Sequence, residues 1–180
     1  MKIMNQMRNI ALTIVCGVVA LGSSQVNLAD TLPANAAALR ANAGVTFAFA
    51  PTTDPSRFTA TADGVVQVSL MGNCSEHAEL VVQFPTGPGQ PITLSGSVTL
   101  TSSDGANSLK FNVTGIAASD PANPGFLNNS YQATFTGGTG AFASATGAAQ
   151  ISETTKVTSP ATGTGTWTMK GYVVTPPSAN

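Results

Sequence analysis

In HAELVVQF, residues 77–84, Ala78, Leu80, Val82 and Phe84 fall on one side of an extended chain. His77, Glu79 and Gln83, with Val81, fall on the other. Side chains of a strand point alternately to opposite faces, so this period of two marks a half-buried β-strand. The pattern recurs. GVVQVSLMG (64–72) sets Val66, Val68 and Leu70 against Gln67, Ser69 and Met71. ITLSGSVTLT (92–101) sets Ile92, Leu94, Val98 and Leu100 against Thr93, Ser95, Ser97 and Thr99. LKFNVTGI (109–116) turns Leu109, Phe111 and Val113 inward, and TGTWTMKGYVV (164–174) turns Trp167, Met169 and Val173 away from Lys170 and Tyr172. YQATF (131–135) and AAQISETTKV (148–157) are further strand-like segments, and VTFAFA (45–50) and RFTAT (57–61) are brief ones punctuated by Pro51 and Pro55.

Turn chemistry separates these runs: PTGPGQP, SSDGANS with its Asp-Gly signal, and the longer DPANPGFLNNS. With 18 glycines and 11 prolines, the chain reads as all-β, with six to eight antiparallel strands forming a sandwich or closed barrel. Upstream, DTLPANAAALRANAGV (30–45) is Ala-rich and reads either as a short helix ending at Gly44 or as a flexible leader. Residues 30–56 are therefore assigned to a leader and 57–176 to a single β-barrel domain.

The N-terminus carries a different signal. Lys2 and Arg8 precede the uncharged run IALTIVCGVVALG (10–22), and small residues follow. That is the layout of a signal peptide over residues 1–29, cleaved near 22–29, and it implies a secreted or periplasmic protein. The run is shorter than the ~20 apolar residues that span a bilayer, which argues against a stable membrane anchor. Cys16 lies in this segment, so the exported chain keeps only Cys74 and has neither an intramolecular disulfide nor a zinc framework. Charged residues make up only 8% of the chain. Without Lys2 and Arg8, five basic residues remain (Arg40, Arg57, Lys110, Lys156, Lys170) against eight acidic ones, a balance that excludes a nucleic-acid footprint.

The stretch TGGTGAFASATGAAQ (136–150) invites a phosphate-loop reading, and its residues reject it. No lysine follows the glycines, Ala143 stands where GxGxxG needs its third glycine, and no helix follows to offer an anion site. The stretch reads as a structural hairpin. Gly137, Gly138 and Gly140 supply left-handed backbone, Phe142 packs into the core beside Ala143 and Ala145, and Gly147 closes the motif.

At these residues the chain resembles a known family. GGTGAFASATG is similar to the GGTGxFxxAxG hairpin of allene oxide cyclase and dirigent-type barrels, and closer still to small secreted bacterial proteins of that barrel type. The likeness extends through GNCSEHAELVVQF, SGSVTLTSSDGANSLKFNVTG and GTGTWTMKGYV, over roughly residues 64–174. It implies an antiparallel closed barrel of about eight strands with an apolar interior, a small hydrophobic ligand, and homo-oligomers, since the plant members form trimers. Two departures stand out. Ala141 replaces a basic residue common in this hairpin, and SEHAEL replaces a Thr-His-Leu-Gly run, with His77 retained. No catalytic residue of a cyclase or dirigent protein matches a position here.

Candidate chemistry is sparse. His77 is the only histidine, with Glu76 and Glu79 beside it and Asp104 brought near in space. A His–carboxylate pair is a general-base arrangement, and His77 with Glu79 on one strand face is a metal-binding one. The strand register favours a third outcome, a solvated outer face opposite Leu80, Val82 and Phe84, so no metal and no cofactor are assigned. Phe84, Phe111, Phe135, Trp167 and Met169 are candidates to line a ligand cavity, with core filling as the commoner role of such residues. Asn73, Asn112 and Asn128 sit in Asn-x-Ser/Thr triplets that matter only in a glycosylating host. The leading functional expectation is a secreted barrel that binds a small hydrophobic ligand or acts non-catalytically at the envelope. The alternatives are a cyclase- or isomerase-like enzyme that confines an apolar substrate, and a structural or interaction protein with a filled core.

Overall fold

The computed structural model describes residues 32–33, 35–88 and 90–175. The signal-peptide segment lies outside the described residues. Eight strands follow one another: β1 (Ala36–Pro51), β2 (Arg57–Val68), β3 (Gly72–Gln83), β4 (Ile92–Ser102), β5 (Ser108–Ser119), β6 (Phe126–Thr139), β7 (Thr146–Ser159) and β8 (Thr162–Val174). Each pairs antiparallel with the next, and β8 pairs back onto β1, so the sheet closes into a barrel in chain order. Among the described residues no helix is long and apolar enough to cross a membrane.

The first strand corrects the sequence-based reading. The Ala-rich residues from 36 to 44 are neither a helix nor a flexible leader: with the strand-like 45–50 they form one strand, β1, hydrogen-bonded on both sides to β2 and β8. Its alternation is carried by small residues, with Leu39, Ala41, Ala43, Val45 and Phe47 buried and the residues between them exposed. Alanine's helix preference of a few tenths of a kcal/mol per residue yields to tertiary pairing. Ala43 stands opposite Trp167 on one side and Val66 on the other, where a small residue leaves room for the indole. The barrel domain therefore begins at residue 36 rather than 57.

Smaller differences have local causes. β2 stops at Val68, and residues 69–71 turn, leaving Leu70 exposed rather than inward. The loop before β6 is shorter than the sequence suggests, because Asp120 ties it off by accepting from the Ala122 N–H and the Asn123 side-chain amide, each at 2.9 Å.

The two barrel ends differ. At the end holding the β2–β3, β4–β5 and β6–β7 turns, Leu39, Val68, Leu100, Leu109 and Val173 are each at most 1% exposed. The GGTGAF hairpin sits at this floor. Gly137 (φ 116°), Gly140 (φ 59°) and Gly147 (φ 136°) adopt left-handed backbone, whereas Gly138 does not. Gly138 is glycine for a different reason: a Cβ there would collide with the Ser108 carbonyl oxygen of β5. Asn107 Oδ1 accepts from the Ala141 N–H at 2.9 Å and steadies a single 3-10 turn, Gly140–Phe142. Phe142 and Ala145 are buried as expected, but Ala143 is exposed, because the turn carries it to the outer side. At the opposite end Phe49, Phe58 and Phe84 are only partly buried, and their rings form a collar.

Candidate functional site

Halfway down the barrel the inward register breaks its apolar rule. Glu76 of β3, Asn129 and Tyr131 of β6, Glu153 and Thr155 of β7, and Trp167 of β8 all point inside and are all buried. Strand pairing assembles them, since Glu153 stands opposite Trp167 on β8 and opposite Asn129 on β6. Buried polar groups are tolerated where they satisfy one another. The Trp167 indole N–H donates to Glu76 Oε2 at 3.0 Å. Glu153 Oε2 accepts from the Tyr131 hydroxyl at 2.8 Å and from Asn129 Nδ2 at 2.9 Å, and Asn129 Nδ2 also donates to Thr155 Oγ1 at 3.0 Å. One atom is left over: among the described residues, Asn129 Oδ1 is buried and has no partner.

Space for this cluster comes from a residue with no side chain. A Cβ on Gly165 of β8 would lie 2.7 Å from Glu153 Oε1 and 2.8 Å from Phe47 Cε2, so glycine makes room for both. Burial sets the electrostatics. It pushes the Glu76 carboxyl up to about 7, an effect eased by the Trp167 hydrogen bond and reinforced by the carboxylates of Glu153 and Asp63. Burial also raises Glu153, against the lowering effect of its bonds from Asn129, Tyr131 and Thr155. Burial, then the adjacent Glu153 carboxylate, keeps the Tyr131 phenol neutral.

Two cavities flank the cluster. The outer one, about 80 Å³, lies under the collar and is lined by Phe49, Phe58, Phe84, Ile92, Leu94 and other apolar residues, with Asn129, Tyr131 and Thr155 the polar side chains at its edge. Phe58 and Phe84 meet edge to face with centroids 5.4 Å apart, and Phe47 stacks on Phe49 at 5.9 Å. The inner one, about 30 Å³, is bordered by Glu76, Glu153, Trp167 and Phe111, and Tyr131 borders both.

The candidates named from sequence separate accordingly. Phe84 lines the outer cavity, while Phe111 and Trp167 line the inner one. Phe135 packs edge to face on Phe111 at 5.5 Å, and Met169 is 1% exposed; neither borders either cavity. His77 lies on the outer face, its side chain 55% exposed, with Nδ1 2.8 Å from Asp63 Oδ1. Its carboxylate partner is thus Asp63 on β2 and neither Glu76 nor Asp104. Glu79 is exposed on the same face as His77. Asp104 is held in its own turn by the Ser102 hydroxyl at 2.6 Å and the Ala106 N–H at 3.0 Å. Glu76 separates from its neighbour His77 by strand parity and faces inward. No group of three or more metal-ligating side chains occurs among the described residues.

Sequence reasoning missed Glu153, Tyr131, Asn129 and Thr155 as a site. The signal was present as parity, since Glu76 is in phase with Ala78 and Leu80, and Glu153 with Ile151. Comparison with protein-family models, with curated proteins and with solved structures finds no match for this chain.

Proposed function

We propose that the protein is an exported barrel that binds a small, mainly apolar ligand through its collared end. The observation that carries this reading is the outer cavity, about 80 Å³ with an almost wholly apolar lining and three half-buried phenylalanines around it. An eight-stranded barrel has an interior that is either just filled by side chains or able to hold one small ligand. Here the floor half is filled and the collar half is not, which argues against a purely structural barrel. The resemblance to allene oxide cyclase and dirigent-type barrels points the same way.

Glu76 favours a second reading, proton transfer to an enclosed apolar substrate, because a carboxyl with a pKa of about 7 exchanges its proton readily at neutral pH. It ranks second because Glu76 borders the inner cavity, whose 30 Å³ suits water rather than a substrate.

The test is titration of the full chain with n-hexane, followed by methyl NMR. Saturable shifts are expected at Leu80, Ile92 and Leu94. They should vanish in Ala117→Met, which grows a flexible gap-filling side chain into the same cavity. Unsaturable shifts in the wild type, or equal shifts in the variant, would rule out a binding cavity at the collar.

A further inference from the structure

We infer that the inner cavity is a binding site for a water molecule that bridges the Glu76 and Glu153 carboxyls, so that the two hold a single proton between them. The site stands apart from whatever binds at the collar.

Both glutamates border this cavity, at 7% and 6% exposure, and the network engages only one oxygen of each. Glu153 Oε2 takes two donors, the Tyr131 hydroxyl and Asn129 Nδ2, and Glu76 Oε2 takes one, the Trp167 indole N–H. Glu76 Oε1 and Glu153 Oε1 enter none of these bonds. Neither is sealed in: among the described residues, Asn129 Oδ1 is the one side-chain polar atom both closed off and without a partner. The two Oε1 atoms therefore keep accessible surface, and the cavity their residues share is where it lies. Gly165, having no side chain, leaves room beside Glu153 Oε1. The carboxyls act on each other as charges, with no direct bond between them.

Donors and acceptors decide where the proton sits. With two donors on it, Glu153 is the better-stabilised anion, so Glu76 is the member that stays protonated. Its Oε2 already accepts from Trp167, which leaves the O–H on Oε1, where no protein acceptor meets it. Glu153 Oε1 has the opposite need, an acceptor without a donor. A water between them accepts from the first and donates to the second, and a buried polar group without a partner is costly. Passing Glu76's proton to the water while the water gives one of its own to Glu153 leaves the pair at one proton and a net charge of −1. The volume agrees: about 30 Å³ exceeds the roughly 10–15 Å³ that a water needs. A cation fits worse, since Ca²⁺ or Mg²⁺ takes about six or more oxygens and the rest of the wall is largely carbon, from Leu80, Val98, Phe111 and Ile151. No other charge competes inside. Tyr131 stays a neutral phenol, and burial pushes the Cys74 thiol of β3 up. Beside Glu76, β2 presents Gly64 and β4 presents Leu100, while β1 and β5 contribute Phe47, Phe111 and Val113. Asp63, His77, Glu79 and Lys170 are exposed on the outer face.

The test pairs a crystal structure of the wild-type protein at pH 6 with a carboxyl-carbon NMR titration of its glutamates. A water is expected within about 3.2 Å of both Oε1 atoms. The Glu76 and Glu153 resonances should each move in both of the pair's titration steps, as coupled groups do. In Glu153→Gln the amide oxygen stays with Tyr131 and Asn129, and an NH2 group replaces the acceptor that faced the water. Glu76 should then release its proton at least about tenfold more readily, its midpoint falling by about one pH unit or more. A cavity without water, a water touching one carboxyl only, or two glutamates that each titrate in a single step of their own would overturn the inference. An unchanged Glu76 midpoint in Glu153→Gln would overturn it as well. The two wild-type measurements stand even where Glu153→Gln does not fold.

Discussion

Replacing Glu76 with glutamine should make the barrel gain stability relative to the wild type as the pH rises from acid to alkaline. The side chain is 7% exposed, and burial lifts its carboxyl from an ordinary 4.5 to about 7. The native state thus holds this proton more tightly than the unfolded chain does. The stability linked to Glu76 is fully present below pH 4.5, declines as the pH rises, and is lost above about 7. At about 1.4 kcal/mol per pH unit over that window, the loss amounts to about 3 kcal/mol. Glutamine keeps the shape and an oxygen to accept the Trp167 N–H, but it has no charge to expose. Its amide hydrogens bring a packing and hydrogen-bonding cost of about 1–3 kcal/mol that is the same at every pH, so the informative quantity is the change with pH. Urea unfolding of both proteins between pH 4 and pH 9 measures it. The stability difference between variant and wild type should move in the variant's favour by about 3 kcal/mol from pH 4.5 to pH 8. The surface carboxylates titrate in both proteins and cancel, whereas the repulsion between Glu153 and Glu76 exists only in the wild type and is part of the difference measured. Parallel pH profiles would refute the reasoning, since Glu76 would then have the same pKa folded and unfolded.

Three substitutions test the rest of the architecture by thermal melting. Gly138→Val should destabilise by collision with the Ser108 carbonyl of β5, at a cost of about 1–3 kcal/mol. Phe142→Ala should cost about 3–5 kcal/mol through the cavity it leaves at the floor; unchanged melting in either would show the hairpin to be a mobile loop. His77→Ala should change stability by no more than about 0.5 kcal/mol and leave hexane binding intact, because its ring and its Asp63 partner are both in solvent. A large loss of binding there would move the site to the outer face.

The fold was legible because several strands carry bulky apolar residues at alternate positions, as in β4 with Ile92, Leu94, Val98 and Leu100. The first half of β1 was not, because its inward positions at Ala41 and Ala43 are small to suit Trp167, and alanine at alternate positions looks no different from an Ala-rich helix or tail. The site was partly legible. Trp167, Phe84 and Phe111 were recognised as inward aromatics, but the residues that make the interior polar were not. A single Glu, Asn or Thr within an alternating strand reads as an interruption of the pattern. Only when pairing sets Asn129 beside Glu153 does it become clear that Asn129, Glu153 and Thr155 satisfy one another. The lone histidine drew attention for its chemistry, yet parity assigned it to solvent, and the carboxylate one residue earlier took the interior.

The β1–β8 seam has a consequence for how the barrel is displayed. Ala36 stands beside Val174, and Val174 beside Thr146 at the start of β7, so the chain enters and leaves the barrel at the floor. Whatever is joined through the residues before Ala36 or after Val174 is therefore attached on that side. A short tether at either point would leave the collar facing away from the surface that holds it, because mouth and attachment lie at opposite ends of the barrel.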